Sequence, residues 1–235
     1  MADQSQQSQR SFGDLDHLAD AGPLARALGA LSVALPRRWR QRPLAGLGAG
    51  LVVLAVGGVV AQPIVTVSAA VAFVLLASMA VRPPLGGRLA WLMPALLRAA
   101  EYALVVRLAA VLDGGVLDGG VLDAGGLDAG GLDGAGLGGR VMPAAYALLA
   151  VVAYHHYDVV YRLRHAGSSA APWVGVAALG FEGRMLVVLV LWLAGADAAV
   201  VGCWVLAGWL AVVFGVESAT GWSRWLRAAR PDVLT

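Results

Sequence analysis

The sequence predicts an all-α fold, a polytopic membrane helix bundle of about six transmembrane helices with both termini cytoplasmic. Hydrophobic residues make up 59% of the 235 and charged residues 14%, where an ordinary soluble domain carries about 25% charged residues. Mean hydropathy is +0.74. The apolar residues gather into runs near the ~20 that a spanning helix needs. The arginines then sort to one end of those runs, as positive residues in short cytoplasmic loops do.

The first two runs, Leu44–Ala61 and Pro63–Val81, meet at Gln62-Pro63, where a fixed φ and a missing donor suit a tight turn between two antiparallel helices. Leu89–Leu112 and Val141–Leu163 follow. The fifth is Gly183–Ala196 with part of Val174–Phe181. The string Gly180-Phe181-Glu182-Gly183-Arg184 interrupts its start, so it begins at Met185, is short, or enters through a broken turn. The sixth is Ala198–Val216, with Glu217 at its end. All 17 basic residues are arginine. With the N-terminus inside, Arg10, Arg26, Arg37, Arg38, Arg40, Arg42, Arg82, Arg88, Arg162, Arg164, Arg184, Arg224, Arg227 and Arg230 fall in inner segments. Arg98 and Arg107 lie within the third run, and Arg140 alone falls in an outer loop. Residues 1–43 thus read as a cytoplasmic N-terminal segment, 44–217 as the membrane domain and 218–235 as a cytoplasmic tail.

The absence of lysine and asparagine, with Ile64 the lone isoleucine, reads as the coding bias of a GC-rich bacterium, whose plasma membrane is the expected location. Met1–Phe12 lacks a charged segment leading into an apolar one, so no cleaved signal peptide is expected. A single cysteine, Cys203, excludes an internal disulfide and reads as a small buried hydrophobe. A net charge of +2, from arginines that topology already accounts for, gives no reason to expect a nucleic-acid partner. In Asp20–Leu28 an acidic candidate cap, a first-turn proline and spaced leucines suggest an interfacial helix. Pro36–Arg42 forms a basic collar suited to anionic headgroups of the lipid bilayer. Residues 113–139 carry Asp113, Asp118, Asp123, Asp128 and Asp133 among glycines. That five-residue period does not match the nine-residue calcium repeat, and the segment reads as an acidic external loop without a site.

The most polar string in an apolar setting is Tyr154-His155-His156-Tyr157-Asp158-Val159-Val160-Tyr161-Arg162-Leu163-Arg164-His165. Ionisable groups at membrane depth cost about 2.5–3.5 kcal/mol each on insertion scales and so face a bundle interior. At 100° per residue, Tyr154, Asp158, Tyr161 and His165 share a face, with His155 and Arg162 on its flank. Counting inward at ~1.5 Å per residue puts Asp158 roughly 8 Å and His155 roughly 12 Å from the inner end. His156 points away, towards the core or another helix. Arg98, Glu101 and Tyr102 in the third run, and Glu182 and Arg184 at the start of the fifth, fall at comparable depth. The expected site is therefore an inward-facing pocket of Arg98, Glu101, Tyr102, His155, Asp158, Tyr161, Arg162, Glu182 and Arg184, against the alternative of a closed ion-pair network.

Four of these strings, Asp20–Gly29, Leu97–Tyr102, His155–Arg162 and Gly180–Arg184, resemble in this order an actinobacterial integral-membrane domain of unknown function. In fused proteins that domain follows a nucleotidyltransferase-like domain and a CDP-alcohol phosphatidyltransferase domain. The resemblance spans roughly Asp20 to Glu217 apart from the Asp-Gly repeat, and it implies a link to phospholipid assembly with a CDP-alcohol phosphatidyltransferase-type enzyme as partner. The chain itself lacks the D-G-x2-A-R-x8-G-x3-D-x3-D signature of that enzyme, whose carboxylates hold metal against pyrophosphate. It also lacks a P-loop, G-x-S-x-G, Cys-x-x-Cys and H-E-x-x-H. Two readings stay open. One is an accessory module that uses Arg98, Arg162 and Arg184 to bind an anionic lipid headgroup or a nucleotide. The other is a membrane enzyme or proton-coupled transporter, with His155 and Asp158 as base and orienter or as metal ligands beside Glu101 or Glu182.

Overall fold

The computed structural model describes residues 21–31, 43–59, 63–80, 92–113 and 140–228. Those residues form helices α1 (Pro23–Leu31), α2 (Pro43–Val59), α3 (Pro63–Ala80), α4 (Leu92–Leu112), α5 (Val141–Ala166), α6 (Val174–Ala177), α7 (Gly180–Ala194) and α8 (Ala196–Ala228), with no strand among them. The all-α expectation is met. Asp20, the arginine collar at 36–42 and residues 114–139 of the Asp-Gly repeat lie outside the described residues.

Proline opens five of these helices: Pro23, Pro43 and Pro63 at the first position, Pro94 and Pro143 at the third. A first-turn N–H has no intrahelical acceptor, so proline there loses nothing and its ring presets the helical φ. Small residues then bring α2 against α3. A Cβ on Gly57 would run into the methyl of Ala69, and one on Gly50 would press on the Phe73 ring at 3.1 Å. Helix α4 packs on α5 and α7, α8 lies along α5 and α7, and α1 rests on α3 and α7. Phe73, Leu97, Leu108, Leu148, Phe181, Met185, Leu210 and Phe214 fill the shared core.

The fifth run is broken rather than continuous. Leu179 and Gly180 both adopt left-handed backbone, at φ 65° and 60°, between the single turn of α6 and the start of α7. For leucine this conformation costs about 1–2 kcal/mol. Glycine at 180 is required twice over, by its φ and because a Cβ would collide with the backbone of Gly22. Of the three starts considered for this run, the broken turn is the one observed, and Met185 lies inside α7. Helix α8 likewise runs past the expected end at Val216 to Ala228, so Glu217 is an interior residue of a helix.

Polarity is arranged inside out. Val201, Trp204, Val205, Trp209, Val212 and Val216 on α8 are 51–66% exposed, and so in kind are Tyr146, Tyr154 and Tyr157 on α5. Glu101, Arg162, Glu182, Arg184 and Glu217 are at most 2% exposed. Water-soluble folds place these residue types the other way round. Among the described residues two stretches are long and apolar enough to cross a membrane, Val174–Ala194 and Ala196–Arg227. Helices α4 and α5 have the length but each carries three Asp, Glu or Arg residues: Arg98, Glu101 and Arg107 on α4, and Asp158, Arg162 and Arg164 on α5.

Gly180→Ala should lower the thermal stability of the purified protein by at least about 2 kcal/mol, from backbone strain and the collision with Gly22. Gly208→Ala, at a helical site with open space around its Cα, should raise it by about 0.5–1 kcal/mol. Thermal unfolding of both variants checks the pair.

Candidate functional site

Among the described residues, six charged side chains within the bundle form two ion-pair groups. The first joins α4 to α7. Glu101 accepts from Arg98 one turn earlier at 2.9 Å, and from Arg184 through Nε at 2.6 Å and Nη2 at 3.2 Å. Arg184 Nη1 also donates to the Ala178 carbonyl at 3.4 Å, so the guanidinium braces the chain break before α7. One helix face separates Arg184 from Glu182, whose Oε1 accepts the Ala25 N–H at 2.9 Å. That N–H is among the first-turn donors of α1 without a helical acceptor, and a carboxylate also suits the positive end of the helix dipole. Glu182 therefore caps α1 through Ala25, whereas Asp20, the cap suggested by the sequence, lies outside the described residues. Beside this group the Tyr102 hydroxyl and His156 Nδ1 lie 3.3 Å apart, linking α4 to α5.

The second group joins α5 to α8. Arg162 pairs with Asp158 through Nε at 2.9 Å, and with both Glu217 oxygens through Nη1 at 2.8 Å and Nη2 at 2.5 Å. A two-pronged guanidinium–carboxylate bond is among the strongest polar contacts a protein makes. Asp158 Oδ1 also accepts the Trp222 indole N–H at 3.0 Å, and Glu217 Oε1 accepts the Ala171 N–H at 3.3 Å. Gly221 leaves room for the guanidinium, since a Cβ there would strike Arg162 Nη1. One turn deeper, the His155 ring stacks on Phe214 with centroids 3.7 Å apart and planes 7° from parallel.

These placements divide the expected site. Arg98, Glu101 and Arg184 belong to one group, Asp158 and Arg162 to the other, and Glu182 faces α1. His155, Asp158, Glu101 and Glu182 do not converge as the ligands of one metal ion. Among the described residues no three histidine, cysteine or carboxylate side chains are placed to hold one. Tyr161 is 41% exposed, outside the buried groups, and its ring meets that of His165 with centroids 4.2 Å apart and planes tilted by 39°. The buried arc of α5 is His155, Asp158, Val159 and Arg162, rotated about 80° from the Tyr154–Asp158–Tyr161–His165 face at 100° per residue. Ionised groups cost more to leave in an apolar setting than phenols, so they take the interior and the tyrosines turn outward. Glu217 was not among the expected site residues. Its signal was there: it is the one acid of the sixth run at the depth of Arg162.

A cavity of about 260 Å³ opens at this end of α5 and α8, lined by Arg162, Ser168, Ser169, Glu217, Thr220, Gly221, Arg224 and Trp225 with Ala166 and Ala171. Gly167 builds its wall. At φ 58° it ends α5, its N–H returning to the Arg162 carbonyl, and it sends Ser168–Ala171 back across α8. The Ser168 hydroxyl oxygen is buried without a hydrogen-bond partner. Arg224 makes no ion pair among the described residues. Arg162, by contrast, is held by two carboxylates.

The described residues thus define an all-helical bundle with charged residues inside, two helical stretches of membrane-crossing length, and one polar cavity at the end of its longest helix. Residues 9–233 match a family of unknown function (DUF5941), and the chain belongs to that family. No curated protein and no solved structure matches it.

Removing a partner from the second group strands buried charge. Arg162→Met should cost about 3–5 kcal/mol by leaving Asp158 and Glu217 uncompensated. The combined Asp158→Leu, Arg162→Met, Glu217→Leu variant should recover much of that loss. Thermal unfolding of the two variants beside the parent checks the ordering.

Proposed function

We propose that the chain is a membrane protein of about six spans, namely α2, α3, α4, α5, α6 with α7, and α8, with both ends on the cytoplasmic side of a bacterial plasma membrane. The inside-out polarity supports this, because apolar side chains face outward where lipid would lie and buried charges find protein partners. The arginine distribution supports the orientation. Helices α2 and α3, of 17 and 18 residues, fall within the range of spanning lengths. Helix α8, with 33 residues, is ~50 Å long against a hydrocarbon core of ~30 Å. Its last turns therefore stand clear of the hydrocarbon on the cytoplasmic side, which is where the cavity sits.

In that cavity the protein binds a phosphate-bearing headgroup. The observation that carries this reading is a cavity lined by an exposed arginine, Arg224, that makes no ion pair among the described residues, and by a buried hydroxyl, Ser168, with no hydrogen-bond partner. Buried polar atoms are nearly always satisfied by protein, water or ligand, so such a hydroxyl marks a place for a polar guest. Volume chooses between the two expected ligands. At about 260 Å³ the cavity is below the ~300–1,000 Å³ of sites that enclose drug-sized molecules, which favours a headgroup over a whole nucleotide. The two ion-pair groups are then scaffold, and the three arginines expected to bind phosphate, Arg98, Arg162 and Arg184, serve helix packing. The resemblance to a domain fused with CDP-alcohol phosphatidyltransferases supports an accessory role beside such an enzyme.

Two experiments test this. In a Cys203→Ala background, a membrane-impermeant maleimide added to intact cells should label Asp197→Cys and spare Ser223→Cys; labelling of both would remove α8 as a span. Thermal unfolding with glycerophosphoglycerol, glycerophosphoinositol and cytidine monophosphate should show stabilisation by the first two, approaching ~2.7 kcal/mol at 100 times the dissociation constant. The shift should vanish in Arg224→Gln and shrink in Ser168→Ala. A shift from the nucleotide alone would overturn the headgroup assignment.

A further inference from the structure

The outward faces of α5 and α8 differ in kind. That of α8 is made of valines such as Val201, Val205, Val212 and Val216 with the rings of Trp204 and Trp209, side chains that lipid accommodates. That of α5 is lined with tyrosine. Four of the chain's five tyrosines, Tyr146, Tyr154, Tyr157 and Tyr161, are 41–67% exposed, and at 100° per residue they fall within an arc of about 80° centred on Ala150. The fifth, Tyr102, meets His156 between α4 and α5. Among the described residues none of the four outward hydroxyls has a hydrogen-bond partner. Counted from Leu163, Tyr154 lies ~14 Å and Tyr157 ~9 Å deep, in a hydrocarbon core ~30 Å thick. Water is absent at that depth, and a hydroxyl without a partner in hydrocarbon is costly. Lipid therefore suits the outward face of α8 and leaves that of α5 unsatisfied.

Resting on the membrane reading above, we infer that this face of α5 is covered by the same face of a second copy of the chain, in a dimer whose two-fold axis runs along the membrane normal. Two copies inserted in one orientation close a two-fold pair only about such an axis, so their α5 helices run parallel and residues at equal height meet. That geometry demands groups able to pair with themselves. A phenol qualifies, since it both donates and accepts, whereas a guanidinium or a carboxylate does not. From Pro143 to Tyr161 the exposed residues of α5 include no charged one, and Arg164, the first, comes at the inner end. Tyr154 and Tyr157 stand on opposite sides of the arc's centre, by about 40° and 20°. The axis therefore sets Tyr154 of each copy beside Tyr157 of the other, ~4.5 Å apart in height, and two O–H···O bonds follow. Ala150 and Ala153, also exposed, place only methyl groups between the helices, which lets the backbones approach. Tyr157 is already ordered by stacking on Tyr161, with centroids 6.0 Å apart.

Cysteine cross-linking tests the face, and phenylalanine substitution tests the bonds. In a Cys203→Ala background, copper-phenanthroline oxidation of membranes from expressing cells should convert Ala150→Cys into a species of twice the 24.1 kDa chain. Val205→Cys, on the outward face of α8, should stay monomeric. Native mass spectrometry of the detergent-purified full chain should show the dimer. The double variant Tyr154→Phe, Tyr157→Phe removes two hydroxyls and no ring, and it should raise the dissociation constant at least tenfold while the monomer unfolds at an unchanged temperature. Cross-linking of Val205→Cys as readily as Ala150→Cys would overturn the inference, and so would a chain that is monomeric in both assays. Monomers whose unfolding temperature falls in the phenylalanine variant would place another part of the same chain on this face. A dimer linked through Ala150→Cys whose affinity ignores the phenylalanine variant would overturn the pairing of phenols. The maleimide labelling described above reads the membrane topology separately, so a monomer with correctly sided labels overturns the dimer alone.

Discussion

Everything in this fold answers to the cost of burying a guanidinium. Arg162 and Arg184 are the two largest fully buried side chains of the bundle, and an ion in an apolar interior is tolerable only when partners of opposite charge and fixed geometry surround it. Each arginine is held by a carboxylate on another helix, Glu217 on α8 for Arg162 and Glu101 on α4 for Arg184. Such a bond fixes both the rotation and the axial register of the helices that make it. Apolar contacts alone would tolerate sliding, because one valine or alanine packs much like the next. The pairs are thus weak evidence for net stability and stronger evidence for a single arrangement of α4, α5, α7 and α8.

A division of labour follows. The carboxylates of the two ion-pair groups are committed to arginines, and Glu182 to the first turn of α1, so the polar groups left at the cavity rim are the Arg224 guanidinium and the hydroxyls of Ser168, Ser169 and Thr220. The glycines at these crossings are spacers for the same pairs. Gly221 makes way for Arg162, while Gly22 and Gly180 let α1 approach the break where Arg184 grips the Ala178 carbonyl.

Helix positions were legible in the sequence because hydropathy and first-turn prolines both report on the chain locally. The run Leu44–Ala61 became Pro43–Val59, and Leu89–Leu112 became Leu92–Leu112. Axial level was legible too: the residues expected at one level include every member of the two ion-pair groups except Glu217. What the sequence did not carry was azimuth between helices. A 100° wheel relates residues on one helix but not the direction of its neighbours, so the face of α5 that meets α8 was displaced towards the tyrosines. Glu217 was overlooked because it seemed to end an apolar run, and a helix end in sequence has no mark when the helix continues in polar residues for three more turns.

One contact at the opposite end of the bundle concerns the history of the gene. Asp113, the first aspartate of the repeat, closes α4 and accepts the N–H groups of Val141 and Met142 at 3.1 and 2.8 Å, capping α5. The two ends of the segment 114–139 are therefore clamped together by the first aspartate of the repeat itself. Closing a longer loop between fixed ends adds only about 0.6 kcal/mol per doubling of length. Replication slippage can then add or remove five-residue units at little cost to the bundle.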